Sequence, residues 1–509
     1  MASPLAAEKN CRLFVAAALF RIELLRPFLN PHSSLLHRTA RGTAWLFLLR
    51  FAEKGMGLIR TLVLARLLVP SEFGLFGIVV IAVNALDLLS VVGIKAAVVQ
   101  KKNTTDDDFD TAWSVLLIQG VFNAIALCVF AGPAAHFFKE PRTILLIRCF
   151  AIAVLFEGFV NIGIVCFDKG LQFKQQFKFV LAGAVSDLAV ALAVAYITHS
   201  VYALVAGAVA GKVVRVAASY VMQRYRPKFK IVGGNFRVLF RFGKWMWLST
   251  LLQFVLFQGD NIFVGRILGT TALGLYSIAF TVGNLTRTDI SIVLQRALFP
   301  SMALLQDDDH ASRDAYLKVS RAVTMLVLPV SCGIALIAFT FIQVALGRVW
   351  LPAASVLRIL CIAGLFNALL GNAAVMLRAK GFAGDASIGE MWYLATGALL
   401  IYPASRIWGL NGVALAVVVA SLVGWLWTET RVLQILGLYW TDQIRASYRN
   451  VLAALVMIVG VECTRRVLPE GWNKTMLLIL PIVGIFLYVM SVIALSCVDA
   501  NMQGVSRKT

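Results

Sequence analysis

The sequence predicts an all-α, polytopic membrane protein of about fourteen transmembrane helices, two parallel six-helix lobes followed by two C-terminal helices. Three observations predict it. The chain is 60% hydrophobic and 14% charged, with a mean hydropathy of +0.82. Apolar runs of about 20 residues recur along its length. The first half resembles the second at an offset of 200 residues. A chain of this composition has more apolar surface than a water-soluble core can hide.

Lys and Arg number 47 against 26 Asp and Glu, for a formal charge of +21. The basic residues lie in short segments between apolar runs, not in one soluble domain, so they read as membrane orientation signals and argue against a nucleic-acid partner. The eight Cys show no C-x-x-C motif and the five His have no neighbouring ligands. No disulfide framework, metal centre or cofactor is expected.

Backbone polar groups in lipid must be satisfied within their own segment, so each apolar run is read as a helix. The expected spans are 44–67, 73–98, 112–130, 144–166, 179–197, 201–222, 245–268, 273–294, 322–346, 353–377, 383–402, 413–427, 449–467 and 476–497. Residues 1–41 are expected to form a cytoplasmic or interfacial N-terminal extension, an amphipathic helix or a floppy segment and not a span, because Arg12, Arg21 and Arg26 interrupt its apolar stretch. Residues 42–223 and 245–433 are the two lobes, 224–244 a basic linker, and 434–509 the last two helices with a short tail. Alternate connections carry Lys101, Lys102, Lys169, Lys174, Arg224, Arg226, Lys228 and Lys230, whereas the opposite ones are nearly bare. Both termini are therefore expected in the cytoplasm.

The repeat brings Ala65-Arg66-Leu67-Leu68 onto Gly265-Arg266-Ile267-Leu268, and Phe73-Gly74-Leu75-Phe76 onto Leu273-Gly274-Leu275-Tyr276. In the same frame Arg41 meets Arg241, Trp45 meets Trp245 and Asn84 meets Asn284. An even number of helices separates the copies, so the repeats are parallel and related by an axis along the membrane normal. A substrate path is expected between the lobes.

Those hairpins, with Asp260, Leu298-Phe299-Pro300 and Trp350-Leu351-Pro352-Ala353, resemble the polysaccharide-transporter branch of the multidrug/oligosaccharidyl-lipid/polysaccharide exporter superfamily. The Wzx-like flippases of O-antigen, colanic acid and exopolysaccharide assembly are the nearest type. The resemblance covers residues 42–433. It implies a non-enzymatic flippase in the bacterial inner membrane, working by alternating access on a polyprenyl-diphosphate-linked oligosaccharide. It also implies contact with membrane lipid and with polysaccharide polymerase and export machinery.

Ionisable residues inside spans cost about 2.5–3.5 kcal/mol each and normally face a bundle interior or a wet cavity. At about 100° per residue, Arg50, Glu53, Lys54, Gly57, Arg60 and Thr61 fall within an arc of roughly 120° on the first span. Asn284, Arg287, Thr288, Ser291 and Gln295 share about 100° of the eighth. Asp260 aligns with Ser249 and Gln253 on the seventh span, and Asn84 with Asp87 on the second. Arg50, Lys54, Arg60, Asn84, Asn284, Arg287 and Gln295 are the expected substrate-cavity residues, the guanidinium groups suiting bidentate contact with phosphate. Glu53, Asp87 and Asp260 are the expected charge-pair or ion-coupling residues. Repeat-equivalent positions exchange sign, Arg60 with Asp260 and Asp87 with Arg287, so the axis is expected to bring opposite charges together across the cleft. The alternative is that these charges are helix-to-helix staples without substrate contact.

Two other features have plainer readings. Gly207 to Lys212 lacks the spacing and hydroxyl of a phosphate-binding loop and reads as a helix-packing face. The acidic runs Asp106–Asp108 and Asp307–Asp309 read as carboxylates at helix N-termini. Competing functions are a drug or organic-cation antiporter of the same superfamily, which needs an acidic lining, a membrane-embedded glycan polymerase or ligase, which needs a sizeable outer loop, and a scaffold for assembly enzymes.

Overall fold

A computed structural model describes residues 53–87, 98, 105–170, 172–230, 254–284, 308–467 and 473–506. In chain order the helices are α1 (53–67), α2 (Pro70–Asp87), α3 (Asp106–Phe138), α4 (Thr143–Gly158), α5 (Phe173–Thr198), α6 (Tyr202–Met222), α7 (254–267), α8 (Gly269–Asn284), α9 (Asp309–Ala345) and α10 (Pro352–Ala379). Then come α11 and α12 (together Ala383–Leu436), α13 (Trp440–Val467) and α14 (Asn473–Ser506). Eight helices among the described residues are long and apolar enough to cross a membrane, and one of these, the 54-residue Ala383–Leu436, is two spans. At Gly409 (φ 54°, ψ −129°) the chain leaves the helical region and turns back, a conformation an L side chain rarely adopts.

Several helices outrun the apolar windows. α3 starts at Asp106, not 112, α9 at Asp309, not 322, and α13 at Trp440, not 449. Their first turns are polar and lie beyond the hydrocarbon, so hydropathy does not register them. Asp106–Asp108 and, of the second run, Asp308 and Asp309 lie at helix N-termini as expected, while Asp307 lies outside the described residues. The Thr105 backbone N–H donates to Asp108 Oδ2 (2.9 Å), and Asp308 Oδ1 accepts from the Ala311 N–H (3.0 Å). The fourth span departs from expectation: α4 stops at Gly158, and Asn161 caps a single 3₁₀ turn, Ile162–Ile164, by accepting from the Gly163 N–H (2.8 Å).

Helices α3 to α6 pack within the first lobe and α8 to α12 within the second, while α13 and α14 pack on α9. The short turns at 68–69, 139–142, 199–201, 268 and 346–351 share one end of the bundle, the turn face, and the helix ends at 87, 158, 222 and 284, with the turns 380–382 and 437–439, share the other, the linker face. The largest buried apolar cluster lies toward the turn face and draws on both lobes, including Leu64, Leu75, Ile78, Leu273, Tyr276 and Trp350. Two smaller clusters near the linker face each belong to one lobe, Ala112, Val115 and Ile162 in the first, Tyr316, Ala373 and Val432 in the second.

Buried polar groups tie helices inside each lobe. Tyr316 on α9 donates to Glu429 Oε1 on α12 (2.8 Å), and Trp425 Nε1 donates to Glu429 Oε2 (3.1 Å). In the first lobe Glu72 accepts from Arg142 (2.8 Å) and from the Val201 N–H (2.7 Å), joining the starts of α2, α4 and α6. The described start of the linker, residues 224–230, runs along α3, where Asp110 Oδ1 accepts from Tyr225 and from the Lys228 N–H (2.7 Å). Burial and the Asp110 carboxylate push the Tyr225 phenol well above its usual range.

Glu429→Ala leaves a buried phenol and indole without acceptors, a loss of about 1–3 kcal/mol. Thermal unfolding in detergent is expected to show a lower midpoint for Glu429→Ala than for Glu429→Gln, which keeps an acceptor; equal midpoints would contradict the staple.

Candidate functional site

The repeat becomes a physical contact where the α1–α2 and α7–α8 hairpins meet. Pro70 opens α2 at the position that tolerates a missing N–H. Its repeat counterpart Thr270 follows Gly269, whose φ of 87° makes the corresponding corner. The two helices then cross with their backbones touching. A Cβ built on Gly74 would stand 1.8 Å from the Thr270 carbonyl oxygen, and one on Gly274 would stand 1.8 Å from that of Pro70. The contact is reciprocal: Gly74 meets Thr270, and their repeat counterparts Gly274 and Pro70 meet each other. Only glycine permits an approach this close.

Further contacts lock this end. Trp350 Nε1 donates to the Ala65 carbonyl (2.8 Å), and its ring meets Phe73 edge-on at 5.3 Å. Arg66 Nε donates to the Ala345 carbonyl (2.8 Å), and its second nitrogen to that of Val344, so a cation caps the C-terminus of α9. All of these contacts join the two lobes.

Below the seal, the α1 face expected to be polar bears an exposed Lys54, an exposed Gly57, and half-buried Glu53, Arg60 and Thr61. Nothing lies within 4 Å of a Cβ built on Gly55 or Gly57. Asn84 and Asn284 are half-buried near the linker-face ends of α2 and α8. Asp87 is placed by its backbone in the last turn of α2, and Arg50, Arg287 and Gln295 lie outside the described residues.

The expected charge exchange across the axis is corrected at Arg60. Its Nε lies 3.2 Å from Asp187 Oδ1 on α5, its Nη2 donates to the Leu204 carbonyl on α6 (2.9 Å), and its guanidinium stands 5.7 Å from the Phe76 ring centroid. These partners stand on α5 and α6, so the charge is met within its own lobe. Asp260 likewise has partners in its own lobe, accepting from Tyr276 (2.8 Å) and from the Asn261 N–H (2.8 Å). It borders a cavity of about 330 Å³ with Gly259, Phe263, Tyr393 and Tyr402.

Asp187 is the residue the sequence reading missed. It has no charged repeat counterpart, and it is the one charged residue in the expected span 179–197; that isolation in an apolar run was the available signal. Gly207 and Gly211 make room for it, Cβ atoms there standing 2.5 Å from Asp187 Oδ1 and 3.0 Å from its Cβ. The segment resembling a phosphate loop is thus a packing face, and Lys212 pairs with Glu157.

Comparison with known proteins fits this architecture. The profile of the family described as "Polysaccharide biosynthesis protein" matches residues 63–355. The Escherichia coli (strain K12) "Lipopolysaccharide biosynthesis protein WzxC" is 23% identical over 359 residues, covering 68% of this chain and 71% of the relative. The Rhizobium meliloti "Succinoglycan biosynthesis transport protein ExoT" is 24% identical over 323 residues, 63% of this chain and 65% of its own length. Among solved structures, "Lipid II flippase MurJ, inward closed conformation" superposes with a TM-score of 0.67 at 13% identity, over 88% of this chain and 97% of that one, which shows a shared fold.

Gly74→Leu is expected to hold the hairpins apart, since the new side chain meets backbone that has nowhere to move. In a cysteine-free background a maleimide reacting with Leu273→Cys, buried beside the crossing, should then label several-fold faster than in the Gly74 parent; equal rates would show that the backbones do not meet in the membrane.

Proposed function

The chain belongs to the polysaccharide biosynthesis protein family, and from that premise we propose that it is a flippase carrying polyprenyl-diphosphate-linked oligosaccharide across the bacterial inner membrane by alternating access. The observation that carries this reading is the core that both lobes share at the turn face, while among the described residues the clusters toward the linker face each belong to one lobe. Such a junction is one end-state of a rocking pair.

In this reading the linker face lies in the cytoplasm with both termini and the turn face outside, which the basic residues of the linker segments support. The lobes of the proposed cycle are residues 42–223 and 245–433, joined by 224–244, with 1–41 and 434–509 as appendages. The sugar diphosphate enters from the cytoplasm while its prenyl tail stays in lipid. Arg50, Lys54, Arg60, Asn84, Asn284, Arg287 and Gln295 line its path, the cations meeting the diphosphate. Arg60 enters this path from its pairing with Asp187, so phosphate competes with a carboxylate for the same guanidinium. Glu53, Asp87 and Asp260 serve ion coupling or charge balance. A basic path suits an anionic cargo and disfavours organic cations. Transport leaves the cargo's covalent bonds intact, and the polymerase and export machinery act on it afterwards.

Liposomes containing the purified protein and a labelled polyprenyl-diphosphate sugar test the reading. Wild type is expected to flip the label, and Arg60→Ala and Arg287→Ala to flip it roughly tenfold more slowly, the loss of one charge-assisted phosphate contact. Unchanged flipping in both variants would remove the cargo path, and absence of flipping by a folded wild type would remove the function.

A further inference from the structure

The turn face departs from its own symmetry at one residue. Arg66 spends its guanidinium on two carbonyls at the end of α9. Its repeat counterpart Arg266, in the last turn of α7, faces the end of α3, but α3 caps itself. There Lys139 adopts φ 56° and donates its N–H to the His136 carbonyl, and the Glu140 N–H goes to that of Ala135. Arg266 is left 5.3 Å from the centroid of the Phe137 ring, and its Nη1 is buried without a hydrogen-bond partner. A buried guanidinium nitrogen without an acceptor is costly.

Phe137 is also one wall of an apolar groove of about 570 Å³ between α2, α3, α4 and α7, shared with Ala82, Leu86, Phe130, Ala134 and Phe254. Phe130 and Phe137 are 54% and 46% exposed, so the groove opens sideways toward lipid. Its α3 wall runs from Phe138 to Leu127, about 16 Å along the helix axis, which is the depth of one leaflet's hydrocarbon. Exposed Lys139 follows directly at the same end.

An apolar slot one leaflet deep, headed by a cation lacking an acceptor, has the shape and charge of a lipid. We propose that this groove holds an anionic phospholipid of the turn-face leaflet, one acyl chain between the lobes and its phosphate on Arg266. A polyprenyl tail would overrun a slot of this length, which sets the resident lipid apart from the proposed cargo. The site does not depend on the flippase reading, because it concerns binding alone.

Native mass spectrometry of the full chain from detergent tests it, with palmitoyl-oleoyl-phosphatidylglycerol, its phosphatidylcholine analogue and undecaprenyl phosphate as probes. Wild type is expected to retain one phosphatidylglycerol in preference to the other two. Arg266→Gln should weaken that retention about tenfold, the worth of one charge-assisted phosphate contact, and Ala134→Trp, which fills the slot, should abolish it. Both variants are compared with wild type at equal monodispersity, and Arg266→Gln, a small change at the helix end, carries the test where Ala134→Trp fails to fold. Equal retention by wild type and Arg266→Gln, or preference for undecaprenyl phosphate or phosphatidylcholine, would overturn the proposal.

Discussion

Everything at the lobe junction depends on one contact, the reciprocal crossing of two helix backbones at Gly74 and Gly274. Lipid tails are as apolar as leucine, so two membrane helices gain little from hiding apolar side chains against each other. What holds them is close packing, and packing this close requires residues without a Cβ. With α2 and α8 touching, Leu64, Leu273, Tyr276 and Trp350 pack around the crossing, and Arg66 and Trp350 find backbone carbonyls of the opposite lobe within reach. The seal therefore consists of dispersion contacts and a few hydrogen bonds, with no carboxylate among the partners of Arg66 or Trp350.

Two intramembrane charges among the described residues follow one pattern. Arg60 meets Asp187, and Asp260 meets Tyr276, each within its own lobe. Removing one partner of a buried ion pair is strongly destabilising. A charge paired across the junction would impose that cost whenever the lobes parted. Charges settled inside each lobe let the lobes separate while their polar interiors stay satisfied, as do Tyr316 with Glu429 and Glu72 with Arg142. Rigid lobes and a removable junction are what the proposed cycle requires.

The fold was legible because both of its signals are strong in a single sequence. Apolar runs report the spans, and the pair Gly74 and Gly274 sits in register at the offset that the structure converts into contact. Helix ends were less legible, since the first turns of α3, α9 and α13 are polar and leave the hydropathy window before they leave the helix. The site was half legible. The polar face of α1 follows from helical periodicity, but the partner of Arg60 does not, because symmetry pointed to Asp260 while packing of α5 and α6 on α1 supplied Asp187. Sequence periodicity fixes which residues share a face; it says little about which neighbouring helix that face meets.

The central claim is that the turn-face crossing opens and closes. Spin labels on Ser71→Cys and Thr271→Cys, in a cysteine-free background reconstituted in liposomes, report the distance across it by double electron–electron resonance. A short distance is expected without cargo, and a second, longer population when polyprenyl-diphosphate sugar is added. One unchanged short distance under both conditions would mean that the two hairpins form a permanent core, and the lobes do not rock about it.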